Sequence, residues 1–157
     1  MRTCCWGLAG LGLLAIASPA FAEVASFTLD GHQFNFDIPP GFIETKSPES
    51  DIKIKTFEIN QDSQLIALIE FSVKYETVEE EFDKVKNKSE VKSVYLPNGR
   101  IGYFIDTFKG QVGAVFASAC SGKCIIHIAI ANYDASGVEA LLQQYARALA
   151  SGNFGGQ

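Results

Sequence analysis

Three side-chain types with chemical potential lie close together in the second half of the chain. Cys120 and Cys124 bracket Cys-Ser-Gly-Lys-Cys, His127 follows within a run of Ile and Ala, and Asp106 interrupts an apolar strand pattern. Two cysteines at this spacing fit a structural disulfide, a redox dithiol or half of a metal site. A catalytic dithiol usually has only two intervening residues and sits at a helix N-terminus, where a thiolate is stabilised. Here three residues intervene, and the flanks QVGAVFASA and IIHIAIANY read as strands. A zinc site needs two further ligands, and the chain's only histidines are His32 and His127. No metal or cofactor is therefore expected. The favoured reading is a disulfide stapling a hairpin whose loop is Ser121-Gly122-Lys123, with cross-strand Cβ atoms near enough to bond. Closing so small a ring restricts the unfolded chain by about 2 kcal/mol, which is a staple for one hairpin and not the source of the fold.

His127 sits where burial would disfavour its charged form. It reads first as a core histidine, with a ligand-cleft or pH-sensing role as the alternative. Asp106 becomes its candidate partner if the fold makes them adjacent. His32, beside Asp30-Gly31, reads as an exposed strand residue, and Glu79, Glu80 and Glu81 as a solvated first helical turn. G-x-S-x-G, H-E-x-x-H and a phosphate-cradling glycine loop are all absent, so no catalytic residue is assigned.

Residues 1–22, MRTCCWGLAGLGLLAIASPAFA, have one positive charge, a short apolar run and an Ala-Phe-Ala ending. That is the pattern of a signal peptide cleaved after Ala22. The run is shorter than the roughly 20 residues that span a bilayer, so the exported chain is expected in the periplasm, or secreted, without stable membrane insertion. Arg2 leaves with the leader, so the 13 basic residues of the whole chain become 12 against 18 acidic ones, a net charge of −6. Nucleic acid is excluded as a partner by that balance. In an oxidising compartment the remaining cysteine pair is expected to be closed.

The elements that position these residues follow from periodicity. Asp30-Gly31 joins two period-two runs as a type I′ hairpin, which Pro39-Pro40-Gly41 ends. Asp51 to Ile59 is a strand whose apolar phase changes near Lys55-Thr56, suggesting a bulge there. Gln64 to Tyr75 is the strongest strand. Thr77-x-x-Glu80 and Ser136-x-x-Glu139 are capping boxes opening an amphipathic helix of about three turns and a longer helix with the stripe Val138, Leu141, Leu142, Tyr145, Ala146 and Leu149. Between them, Val91 to Asn132 reads as a four-stranded meander. The expectation is an α+β fold of one domain, residues 23–152, in which one antiparallel sheet is covered by two helices, with a flexible tail over 153–157.

The segment F-x-F-D-I-P-P-G-F, Phe34 to Phe42, together with this element order, resembles the PsbP-like or DcrB-like superfamily of small exported proteins. The resemblance implies a PsbP-like α/β sandwich and a non-catalytic binding or accessory role, and it carries no catalytic residues to this chain. The functional expectation is a periplasmic protein acting through a protein–protein surface, as an inhibitor, an immunity-type partner or an envelope factor. Its partner would be another envelope protein, and Ser121, Gly122 and Lys123 are the expected contact because a rigid tip loses less entropy on binding. The alternatives are a small hydrolase or a small-ligand protein with its site around His127, the latter requiring a pocket of several hundred Å³.

Overall fold

The computed structural model describes residues 23–45, 53–87, 91–96, 99–107, 110–133, 137–151 and 154–155, with only the backbone described for 91–96, 99–101, 103–107, 110 and 154–155. The leader and Ser136 lie outside the described residues. The elements are β1 (Glu23–Leu29), β2 (His32–Ile38), β3 (Ile43–Thr45), β4 (Ile54–Gln61), β5 (Gln64–Lys74), α1 (Val78–Asp83), β6 (Val91–Leu96), β7 (Gly99–Thr107), β8 (Gly110–Ala119), β9 (Cys124–Asn132), α2 (Val138–Ala150) and β10 (Phe154–Gly155).

The expected α+β sandwich, one sheet under two helices, is wrong. The strands form two antiparallel sheets, a small one in the order β1-β2-β10 and a seven-stranded one in the order β3-β4-β5-β9-β8-β7-β6. The chain is predominantly β, and what covers the large sheet beside β3 to β5 is the small sheet, not a helix. The physical reason is the apolar load of the first hairpin. In β2 every second residue is buried, including Phe34 and Phe36, and this face needs a partner. It stacks on the large sheet: Phe27 and Phe36 each meet Phe71 with ring centroids 5.2 Å apart, and Phe27 packs on Phe57 at 6.1 Å. α2 lies beside it on the same face, where Tyr145 reaches both Phe36 and Phe71. Among the described residues α1 is the element that packs against the opposite face, and it is shorter than expected at six residues.

Local signals explain the joints. Asp30 and Gly31 both have positive φ, 48° and 81°, as a type I′ turn requires. Thr77 caps α1 with the full capping box, its hydroxyl accepting from Glu80 N while the Glu80 carboxylate accepts from Thr77 N. α2 begins differently from expectation. Its N-cap is Gly137, and Gln111 Oε1 accepts from the backbone N–H of Gly137 (3.0 Å) and Val138 (3.1 Å), so β8 supplies the cap. The register shift expected near Lys55-Thr56 falls instead between Ile59 and Asn60. Phe154 and Gly155, within the stretch expected to be a flexible tail, pair with Phe34 and Gln33.

Candidate functional site

Pro39-Pro40-Gly41 does more than end β2. Proline cannot continue the ladder, and Gly41 takes φ 90°, so the chain leaves the small sheet there and enters the large one as its edge strand β3. Among the described residues, β1 and β3 are edge strands, and both line an open groove of about 630 Å³. Its lining includes Phe27, Phe42 and Phe57 together with Lys55 and Glu44. Lys55 Nζ forms an ion pair with Glu44 Oε1 and lies 5.8 Å from the Phe27 ring centroid. Val24 and Ile43, 62% and 74% exposed, also line it and leave apolar surface open to solvent. The volume falls in the range of ligand pockets, but the groove lies far along the chain from His127. Neither this groove nor the smaller cleft at Gln111, Gly137, Glu139, Ala140 and Gln143 includes His127.

At the other end of the β1–β2 hairpin is the cysteine pair, which is a disulfide, with Cα atoms 5.3 Å apart. The loop differs from the expected three-residue turn. Ala119 pairs with Cys124, so Cys120 is the first loop residue, and a single 3-10 turn follows in which Cys120, Ser121 and Gly122 have φ of 51°, 53° and 85°. Ser121, Gly122 and Lys123 are all exposed, as a tip that meets a partner must be. His32, expected to be exposed, is buried, and its Nε2 lies 3.3 Å from Cys120 Sγ. Eighty-eight positions separate these two residues. Their meeting comes from the long-range stacking of the two sheets, which spacing along the chain does not signal.

His127 is buried on the face covered by α1. In the sheet it stands between Ser72 on β5 and Phe116 on β8, with its ring parallel to that of Phe116 at 6.4 Å. Its Nε2 is 3.2 Å from Glu81 Oε1. Glu81 is thus not part of a solvated first turn: it is buried and also meets Lys74 at 3.4 Å and Lys84 at 3.1 Å. The His127 contact holds the Glu81 carboxyl well below the ordinary carboxylate range, outweighing the opposing effect of burial, and Lys84 and Lys74 add to it. The signal for this was present in the sequence. Glu81 lies three residues after Val78 and four before Val85, inside the apolar stripe of the helix. Asp106 is not its partner: it pairs with Gln111, at the opposite end of β8 from Phe116, the residue beside His127. The Asp106 side chain lies outside the described residues.

No family model matches the chain, and no curated protein matches it. The resemblance to the PsbP-like or DcrB-like superfamily stays an expectation from the sequence, and the one-sheet sandwich it implied is not the fold observed. Among the described residues no helix is long and apolar enough to cross a membrane.

Proposed function

We propose that this is an exported, non-catalytic binding protein of the envelope that acts through a protein surface. The contact is the groove between β1 and β3, and the occupant is an extended, apolar segment of a partner protein. The observation that carries this reading is the combination, among the described residues, of two unpaired strand edges with an aromatic floor. An unpaired strand edge offers a row of backbone donors and acceptors. An extended segment adding to such an edge gains affinity from main-chain hydrogen bonds and selectivity from pockets that take alternate side chains. Phe27, Phe42 and Phe57 provide the apolar surface for those side chains, and Lys55 with Glu44 provides polar groups within the lining. The stapled turn at Ser121, Gly122 and Lys123 is a second contact candidate, favoured by its exposure and its disulfide.

Capture from native envelope extract with the tagged chain from Glu23, followed by amide hydrogen exchange on the complex, tests the proposal. The groove reading expects protection of the Glu23 to Phe27 amides by the captured protein, and loss of capture in Val24→Lys and Phe42→Asp but not in Lys123→Glu. The reverse pattern moves the contact to the stapled turn. Absence of any captured protein, with no exchange change at either place, overturns the protein-surface reading.

A further inference from the structure

The disulfide and His32 form a more specific constellation than a staple requires. The Nε2 atom of His32 and the sulfurs of Cys120 and Cys124 all lie within 4.8 Å of one another. His32 and Cys124 are buried and Cys120 is partly exposed, so the cluster sits just beneath the exposed turn. The imidazole is held in place by its backbone: His32 begins β2 immediately after the Asp30-Gly31 turn and pairs with Leu29. Its Nδ1 is buried without a hydrogen-bond partner among the described residues, so Nε2 is the nitrogen that faces the sulfurs.

We infer that reduction of the Cys120–Cys124 disulfide converts this cluster into a binding site for a soft monovalent metal ion, Cu(I), held by two thiolates and the His32 imidazole. The redox step needs a dithiol reductant. Two electrons from it break the S–S bond, its own two thiols join as a disulfide, and the two protons they lose leave Cys120 and Cys124 as thiols. Binding of Cu(I) then displaces both thiol protons, so the loaded site carries a net charge of −1, beside the exposed Lys123 of the same loop.

Geometry and ligand chemistry both favour this ion. Metal–sulfur bonds of about 2.3 Å and metal–nitrogen bonds of about 2.0 Å in a trigonal plane put the donors roughly 3.8 to 4.0 Å apart. His32 Nε2 and Cys120 Sγ are already 3.3 Å apart. The sulfurs must separate from bonded contact, and Cys120 is the one of the two that lies on the loop and not in a strand. Thiolate donors suit both Cu(I) and Zn(II), but three donors among the described residues complete a trigonal Cu(I) site, whereas zinc would need a fourth ligand such as water. In the oxidised protein the sulfurs have no thiolate to offer, so the same residues act as a staple in one redox state and as a metal site in the other. This inference does not depend on the groove, which lies at the opposite end of the β1–β2 hairpin.

The test is Cu(I) titration of the chain from Glu23, which lacks Cys4 and Cys5, against a competing chromophoric chelator under anaerobic conditions, before and after reduction with a dithiol that is then removed. One equivalent is expected to bind the reduced protein alone, with X-ray absorption showing two sulfur neighbours and one nitrogen. His32→Ala should weaken binding by more than the roughly tenfold to hundredfold that loss of an outer partner costs at a metal site, and Cys120→Ser should abolish it. His32→Gln, with circular dichroism confirming the β-rich fold, guards against a variant that has simply unfolded. Equal binding by oxidised and reduced protein, equal binding by His32→Gln and wild type, or preference for Zn(II) over Cu(I) in the reduced state would each overturn the inference.

Discussion

Replacing Glu81 by Gln keeps the shape of the side chain and removes its charge, which isolates what the buried contact with His127 contributes. Leaving a buried polar group without its partner typically costs about 1–3 kcal/mol, and more where the lost partner is charged. The Lys74 and Lys84 side chains are 36% and 55% exposed and stay hydrated when Glu81 is neutralised, whereas that of His127 is only 7% exposed. The lost partner is a charged carboxylate and the group left behind is buried, so about 3 kcal/mol is the expected loss. With a urea m-value of about 2 kcal/mol/M, the unfolding midpoint should fall by roughly 1.5 M. Glu79→Gln, at an exposed position on the same turn, should stay within about 0.5 kcal/mol. A double-mutant cycle with His127→Gln should give a coupling on the order of 1 kcal/mol or more. The pH dependence has a definite sign. The folded carboxyl titrates below its ordinary value of 4.5, so its stabilisation is complete above about pH 4.5 and is lost as pH falls toward the folded value. The gap between wild type and Glu81→Gln should therefore narrow on acidification below pH 4.5. A loss under about 1 kcal/mol at neutral pH, zero coupling, or a gap that widens in acid would refute the reasoning.

Gly102→Ala places a Cβ 2.6 Å from Ala114 O and 2.7 Å from Val115 Cγ1 on the neighbouring strand. Overpacking of this kind costs about 1–3 kcal/mol, and calorimetry should show a Tm lower by roughly 5 °C or more. Tyr145→Phe removes the hydroxyl that donates to Asp37 O at 3.0 Å while keeping the ring contacts with Phe36 and Phe71. It should cost about 1 kcal/mol by urea unfolding, against about 3–5 kcal/mol for Tyr145→Ala, the usual range for deleting a buried aromatic ring. Reducing the disulfide in the absence of metal should lower stability by about 2 kcal/mol and leave the fold intact, since only a small ring is opened; complete unfolding on reduction would contradict the staple reading.

Much of this architecture was legible along the chain because its signals are local. Asp30-Gly31, the Thr77 to Glu80 capping box, the period-two pattern of Gln64 to Lys74 and the apolar stripe of α2 each act within a few residues. What was not legible depends on pairing at long range. Alternation in His32 to Ile38 shows that one face is buried, but it is the same whether that hairpin extends a sheet or stacks on one. The division into two sheets, and with it the fold class, therefore could not be read from periodicity. The same ambiguity hid the approach of His32 to Cys120 and the creation of the groove, where β3 contributes only three residues. Glu81 is a different case. Its position in the stripe between Val78 and Val85 was visible, but three successive acidic residues at a helix start also fit a solvated turn, and only the presence of His127 opposite it decides between the two.

The distribution of polar chemistry follows from the packing. Phe71 is the hub of one face of the large sheet: Phe27, Phe34, Phe36, Phe57 and Tyr145 all have ring centroids within 6.2 Å of its own. This seam joins the small sheet to α2. Reactive or open surface is left where the seam stops. One end of the β1–β2 hairpin opens into the groove, and the other carries His32 against the disulfide. Among the described residues short α1 is what covers the reverse face, and the buried His127 there meets the Glu81 carboxylate. The rigidity of the seam is what makes the two ends useful as fixed platforms, because an edge strand and a ligand cluster are both selective only when their supports are held in place by packing.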